Sequence, residues 1–74
     1  MKLKKLIKKA KKNNHKWVSV DKDGCAYSSR LKPEPHEICD YWTVTGDRLS
    51  IDYFTYLGEY TGKKNWKKTL RKVK

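Results

Sequence analysis

Between Lys2 and Lys12 the apolar residues fall at Leu3, Leu6, Ile7 and Ala10, and lysine fills nearly every other position. The spacing i, i+3, i+4, i+7 predicts an α-helix with one narrow apolar stripe. Asn13 and Asn14 supply the stop, because asparagine tolerates the left-handed conformation that ends helices. So short a helix, covered in like charge, is marginal alone. It needs its own domain or a partner to pack against.

From Trp17 the period changes from 3.6 to two. Trp17-Val18-Ser19-Val20 predicts a strand with Val18 and Val20 on one face. Asp21-Lys22-Asp23-Gly24 is a hairpin turn, and Cys25–Ser29 is the returning strand. The prolines of Leu31–His36 predict a loop without regular pairing. Ile38 to Val44 predicts a third strand, and Thr45-Gly46-Asp47 turns it. Residues 48–57 form either one bent strand or two pieces, interrupted at Gly58. Asn65 then caps a second amphipathic helix, with Trp66, Leu70 and Val73 at i, i+4 and i+7. The expected fold class is α+β: a small three- or four-stranded antiparallel sheet with an N-terminal and a C-terminal amphipathic helix. Core candidates are Trp17, Val18, Val20, Tyr27, Trp42, Val44, Ile51, Phe54, Leu57, Trp66 and Leu70.

With 74 residues, the chain has room for one small domain and a limited core. Three Trp, five Tyr and one Phe concentrate apolar area and favour a folded centre. Charge divides the chain further. Residues 1–16 carry +8, residues 61–74 carry +7, and 17–60 carry −4, for a net +11. This separates a lysine-rich N-terminal helix or arm, 1–16, from a small sheet domain with a C-terminal helix, 17–74. Two basic ends around an acidic centre attract polyanions and acidic partners.

The start has no continuous apolar stretch of the signal-peptide kind, and no run is long enough to span a bilayer. A cytoplasmic location is expected, with Cys25 and Cys39 as free thiols. KLKKLIKKAKK resembles helices that lie on anionic lipid, but its apolar face holds four residues and no aromatic anchor, so stable membrane insertion is not expected.

Catalysis has little to work with. His15 and His36 are the only histidines, and no strained nucleophile turn or glycine-rich phosphate loop accompanies them. DKDG resembles the start of a calcium loop, yet the later ligands are missing. His36-x-x-Cys39 is one zinc-like pair, but Cys25 and His15 complete no finger spacing. No enzyme activity, metal or cofactor is therefore expected.

Nucleic-acid binding has the strongest signal. The candidate phosphate contacts are Lys4, Lys5, Lys8, Lys9, Lys11 and Lys12 at one end and Lys63, Lys64, Lys67, Lys68 and Arg71 at the other. The two sets merge if both helices lie on one side of the sheet. Lysine in place of arginine favours phosphate contact over base reading. Trp17, Trp42, Tyr53, Phe54 and Tyr56 are available as stacking platforms for single strands. The competing expectation is a protein-binding module for an acidic host protein, using Tyr41, Trp42, Tyr53 and Tyr56.

The chain from Trp17 to Val73 is similar to small proteins of unassigned function encoded by bacteriophages and prophages. The matching elements are the V-D-x-D-G hairpin at Val20–Gly24, Lys32-Pro33, the central Trp42, Leu57-Gly58, and the W-x-x-S/T-L segment Trp66–Leu70, with Thr69 where such proteins often carry Ser. The resemblance implies a protein of the host-cell cytoplasm that binds nucleic acid or a host enzyme. It brings no catalytic residues with it.

Overall fold

A computed structural model describes residues 1–36, 38, 40–43 and 54–73. Helix α1 covers Leu3–Lys12. The strands are β1 Trp17–Val20, β2 Cys25–Ser29, β3 Glu34–His36, β4 Tyr41–Thr43, β5 Phe54–Glu59 and β6 Arg71–Lys72, with a 3-10 turn at Trp66–Lys68 before β6. The fold is α+β. A four-stranded antiparallel sheet has the order β5-β2-β1-β6, and β3 pairs with β4 in a separate hairpin.

The helix forms where its stripe predicts. Leu6 and Ala10 are fully buried, and Leu3 and Ile7 pack beside them. They meet Val18, Val20, Ala26, Leu57 and Val73 of the sheet side. The division at residue 16 thus marks a change of charge, while the core runs across it. Asn14 takes φ 59°, His15 N–H donates to Ala10 O at 3.0 Å and Asn14 N–H to Lys11 O at 3.1 Å. This pair of bonds is the Schellman closure of a helix end.

The Asp-Gly turn also forms. Gly24 takes φ 92°, and its N–H donates to Asp21 O at 2.9 Å. Such a φ explains glycine at this position.

The C-terminal segment is not the expected helix. Asn65 does cap, its Oδ1 accepting from Lys67 N–H at 3.0 Å, but only a 3-10 turn follows. The chain then extends as β6, pairing Arg71 with Val18 and Lys72 with Trp17. The physical reason is the edge of β1, whose N–H and C=O groups need partners. β6 supplies them over two residues, and Thr69 continues where β6 stops. The fully buried Thr69 hydroxyl accepts from Val20 N–H at 3.0 Å and lies 2.6 Å from Trp66 O.

Thr69→Val keeps the shape and removes the hydroxyl. It leaves Val20 N–H buried and unmet, at a cost of about 1–3 kcal/mol. Thr69→Ser keeps the bond and is expected to retain most of the stability. Paired urea melts of the two variants test this, and equal midpoints would sink the role assigned to the hydroxyl.

Three other expectations change. Leu31–His36 is not wholly a loop, since Pro35 pairs with Trp42 in the β3–β4 hairpin. Trp42 N–H turns outward to Asp21 Oδ1 at 2.9 Å, so the Pro35–Trp42 pair needs no ladder bond and tolerates proline. Gly58 lies inside β5 at a bulge opposite Ala26, with the Met1 methyl packed where a Cβ would stand. Trp17, Tyr27, Phe54, Trp66 and Leu70 are only half-buried, and Leu6, Ala10, Ala26 and Val73 take much of the core. Val44 and Ile51 lie outside the described residues.

Candidate nucleic-acid interface

With Leu3, Leu6, Ile7 and Ala10 committed to the core, α1 can present only its other face to a partner. Lys4, Lys5, Lys8, Lys11 and Lys12 are all exposed there. At about 1.5 Å per residue they line a strip roughly 12 Å long. Lys9 is different. Its Nζ donates to Leu57 O at 3.0 Å, tying α1 to β5.

The helix carries this charge without compensation. No acid lies in its first turn, and its N-cap, Lys2, makes no side-chain cap bond. Lysines near that end oppose the helix dipole, and Lys4–Lys8 and Lys8–Lys12 repel at i, i+4. Among the described residues none of the α1 lysines has an acidic partner, whereas Lys22 pairs with Asp40 at 3.3 Å. A bound polyanion would relieve the repulsion along α1.

The C-terminal cations lie on a different element. Lys63, Lys64, Lys67 and Lys68 are exposed. The Lys67 ammonium sits 5.7 Å from the Trp66 ring centre. Arg71 is half-buried, and its Nη1 donates to Lys68 O and Leu70 O at 2.9 and 2.8 Å. That ties down one end of its fork. Since 66–73 forms the β1 edge, the two basic segments do not lie side by side as helices. They approach where Thr61 N–H donates to Met1 O at 2.9 Å, two residues before Lys63.

Opposite in sign is the end of the sheet at the β1–β2 turn. Asp21, Lys22, Asp23, Asp40 and Tyr41 line an open depression of about 420 Å³. Asp21 is half-buried there, and burial raises its carboxyl to about 6, with Asp23 adding to the shift and the Trp42 N–H bond opposing it. No family model, curated protein or solved structure matches this chain. Its functional reading therefore rests on its own side chains.

The raised Asp21 carboxyl gives a signed prediction. A folded-state value above the unfolded one means stability present below about pH 4 and lost as pH rises through about 6. Asp21→Asn keeps an oxygen for Trp42 N–H and removes the titration. The melting temperature of the variant minus that of the parent should grow between pH 4 and 6 and then level off. A difference flat across that range would contradict the assignment.

The aromatic residues separate. Trp42 is 5% exposed, packs edge-on against Trp66 at 5.9 Å and donates Nε1–H to Val20 O at 2.8 Å. It is a core residue and offers no face to a partner. Tyr41, at 39% exposure, stacks on His36, and Tyr56 is 55% exposed. Tyr53 lies outside the described residues.

His15 and Cys25 are held within the fold. His15 Nδ1 lies 2.6 Å from Ser28 Oγ, joining the end of α1 to β2, and burial, then Arg30, lowers its pKa. Cys25 is a free thiol, and partial burial followed by the Asp23 hydrogen bond raises it, which disfavours the reactive thiolate. Among the described residues no three His, Cys, Asp or Glu side chains gather as a cation site, and no helix is long and apolar enough to cross a membrane.

Sequence reasoning missed Thr69, which looked like a helix position, and Lys32 and Lys72, which flank Trp17. For Thr69 and Lys72 the missing signal was the β1–β6 register, and for Lys32 the return of the chain after β2 to Trp17, neither of which local periodicity carries.

Proposed function

We propose that this protein binds nucleic acid without catalysis, holding the phosphate backbone on the outer face of α1, as an accessory protein of a bacteriophage or prophage. The observation that carries the reading is the set of five exposed lysines on a helix whose other face is fixed in the core. A fixed helix presents its charges at set spacing, which a disordered tail does not. All five are lysines, suited to phosphate as point charges, so weak sequence preference follows. Lys63, Lys64, Lys67 and Lys68 extend the field, and Lys9 and Arg71 contribute charge while their polar atoms serve the fold.

The test is binding to labelled duplex DNA, single-stranded DNA and RNA across a salt series. Micromolar or tighter binding at physiological salt, with log K falling linearly in log salt, is expected. Binding that vanishes at that salt would overturn the reading.

A second reading, an acidic host protein as partner, draws on the β3–β4 hairpin, where Ile38 is 87% exposed and Tyr41 39%. It predicts one protein retained at salt that strips polyanions, and its loss on Ile38→Ser or Tyr41→Ser.

A further inference from the structure

We propose that the sheet face opposite α1 carries a second site, which stacks the bases of single-stranded nucleic acid. The inference rests on the nucleic-acid reading and adds a surface and a substrate class to it. The strand register aligns Lys72, Trp17, Ser29 and Phe54 in one row across β6-β1-β2-β5. Directly paired residues project from the same face. The next row holds Ser19, Tyr27 and Tyr56. Val18, Val20 and Ala26, which meet α1, alternate with these, so the four aromatic side chains share the face without the helix.

Three of the rings, Tyr27, Phe54 and Tyr56, form one cluster, and Trp17 stands apart on β1. Tyr27 contacts Phe54 edge-on at 6.1 Å and Tyr56 at 5.7 Å. Between them Ser19 and Ser29 are fully buried, and the chain leaving β2 lies on Ser29, whose Oγ donates to Leu31 O at 2.9 Å.

Charge selects the occupant. The Lys32 ammonium lies 5.6 Å from the Trp17 ring centre. Lys72 is the cross-strand partner of Trp17 and projects from the same face. Neither Lys32 nor Lys72 has an acidic partner among the described residues. The opposite end of the strands holds Asp21, Asp23 and Asp40, which repel phosphate. A strand therefore enters at the basic end, at Trp17 with Lys32 and Lys72 beside it. Trp17 and Phe54 stand two strand spacings apart, about 10 Å, with the Leu31 carbonyl on Ser29 between them, so each takes its own base. A base on Trp17 takes the place of the Lys32 ammonium and frees it for phosphate. Duplex bases are already stacked on one another, so the platform serves single strands.

The test compares oligothymidylate of about 12 nucleotides with a duplex of equal length at fixed salt, by anisotropy, with folding of each variant checked by thermal melting. Trp17→Leu is expected to weaken oligothymidylate binding about tenfold and leave duplex binding unchanged. Because Trp17 is half-buried, Tyr56→Ser and the pair Lys32→Gln with Lys72→Gln test the same face through exposed side chains, each with a several-fold loss confined to the single strand. Single-strand binding unmoved by these surface variants, or loss equal for both nucleic acids, overturns the inference. A parent that binds duplex and not oligothymidylate removes this site and leaves the α1 reading standing. A parent that binds neither removes both.

Discussion

Replacing Lys4, Lys5, Lys8, Lys11 and Lys12 together by glutamine is expected to leave a folded protein that binds duplex DNA on the order of a thousandfold more weakly at about 0.1 M salt. The salt slope should fall by about four to five, close to 0.9 for each lost phosphate contact. The fold should survive because all five side chains are exposed and the helix stripe is untouched. Glutamine matches lysine closely in helix propensity, and the change removes the i, i+4 repulsion. The melting temperature should therefore hold or rise. Anisotropy titrations over a salt series, with a melt of the same sample, give both quantities. An unchanged affinity in a folded variant would remove α1 from the binding surface.

The second large effect concerns the other side of the same helix. Leu6 is fully buried among Ala10, Val18, Val20, Ala26 and Leu57. Leu6→Ala costs about 2–5 kcal/mol from lost burial and the cavity it leaves. A domain of this size holds only about 3–5 kcal/mol in total. The variant should be largely unfolded at 37 °C. Removal of residues 1–12 goes further, taking Leu6 and Ala10 together and baring the apolar face of the sheet. Near-UV dichroism from the tryptophans and urea melts report the outcome. A cooperative transition in the shortened chain would show that the sheet stands without its cover. Truncation thus reads folding, and substitution of the exposed lysines reads binding.

The helix and the first hairpin were legible because their signals are local. Four apolar positions at helical spacing define α1, two asparagines end it, and Asp-Gly closes the β1–β2 turn. The segment 65–73 was misread for the converse reason. Trp66, Leu70 and Val73 fit a helix, but the edge of β1, some fifty residues away in the chain, takes this segment as a strand and uses Thr69 to complete its hydrogen bonds. Pro35 was misread similarly, since its tolerance depends on Trp42 N–H turning to Asp21. In the candidate site, the lysines of α1 were legible as a set. The exceptions needed coordinates: Lys9 bound to Leu57, Arg71 folded onto its own carbonyls and Trp42 inside the core.

The pairing of β1 with β6 also bears on how the molecule comes into being. Trp17 and Val18 find their partners at Lys72 and Arg71, and Val73 N–H reaches Lys16 O at 2.7 Å. A ribosome makes these partners more than fifty residues after the strand they complete. Until then the lysine-rich helix has a half-built sheet beneath it and an open edge beside it. Completion of the β1 edge therefore waits on closure of a loop of more than fifty residues, a slower step than the local closure of the β1–β2 hairpin.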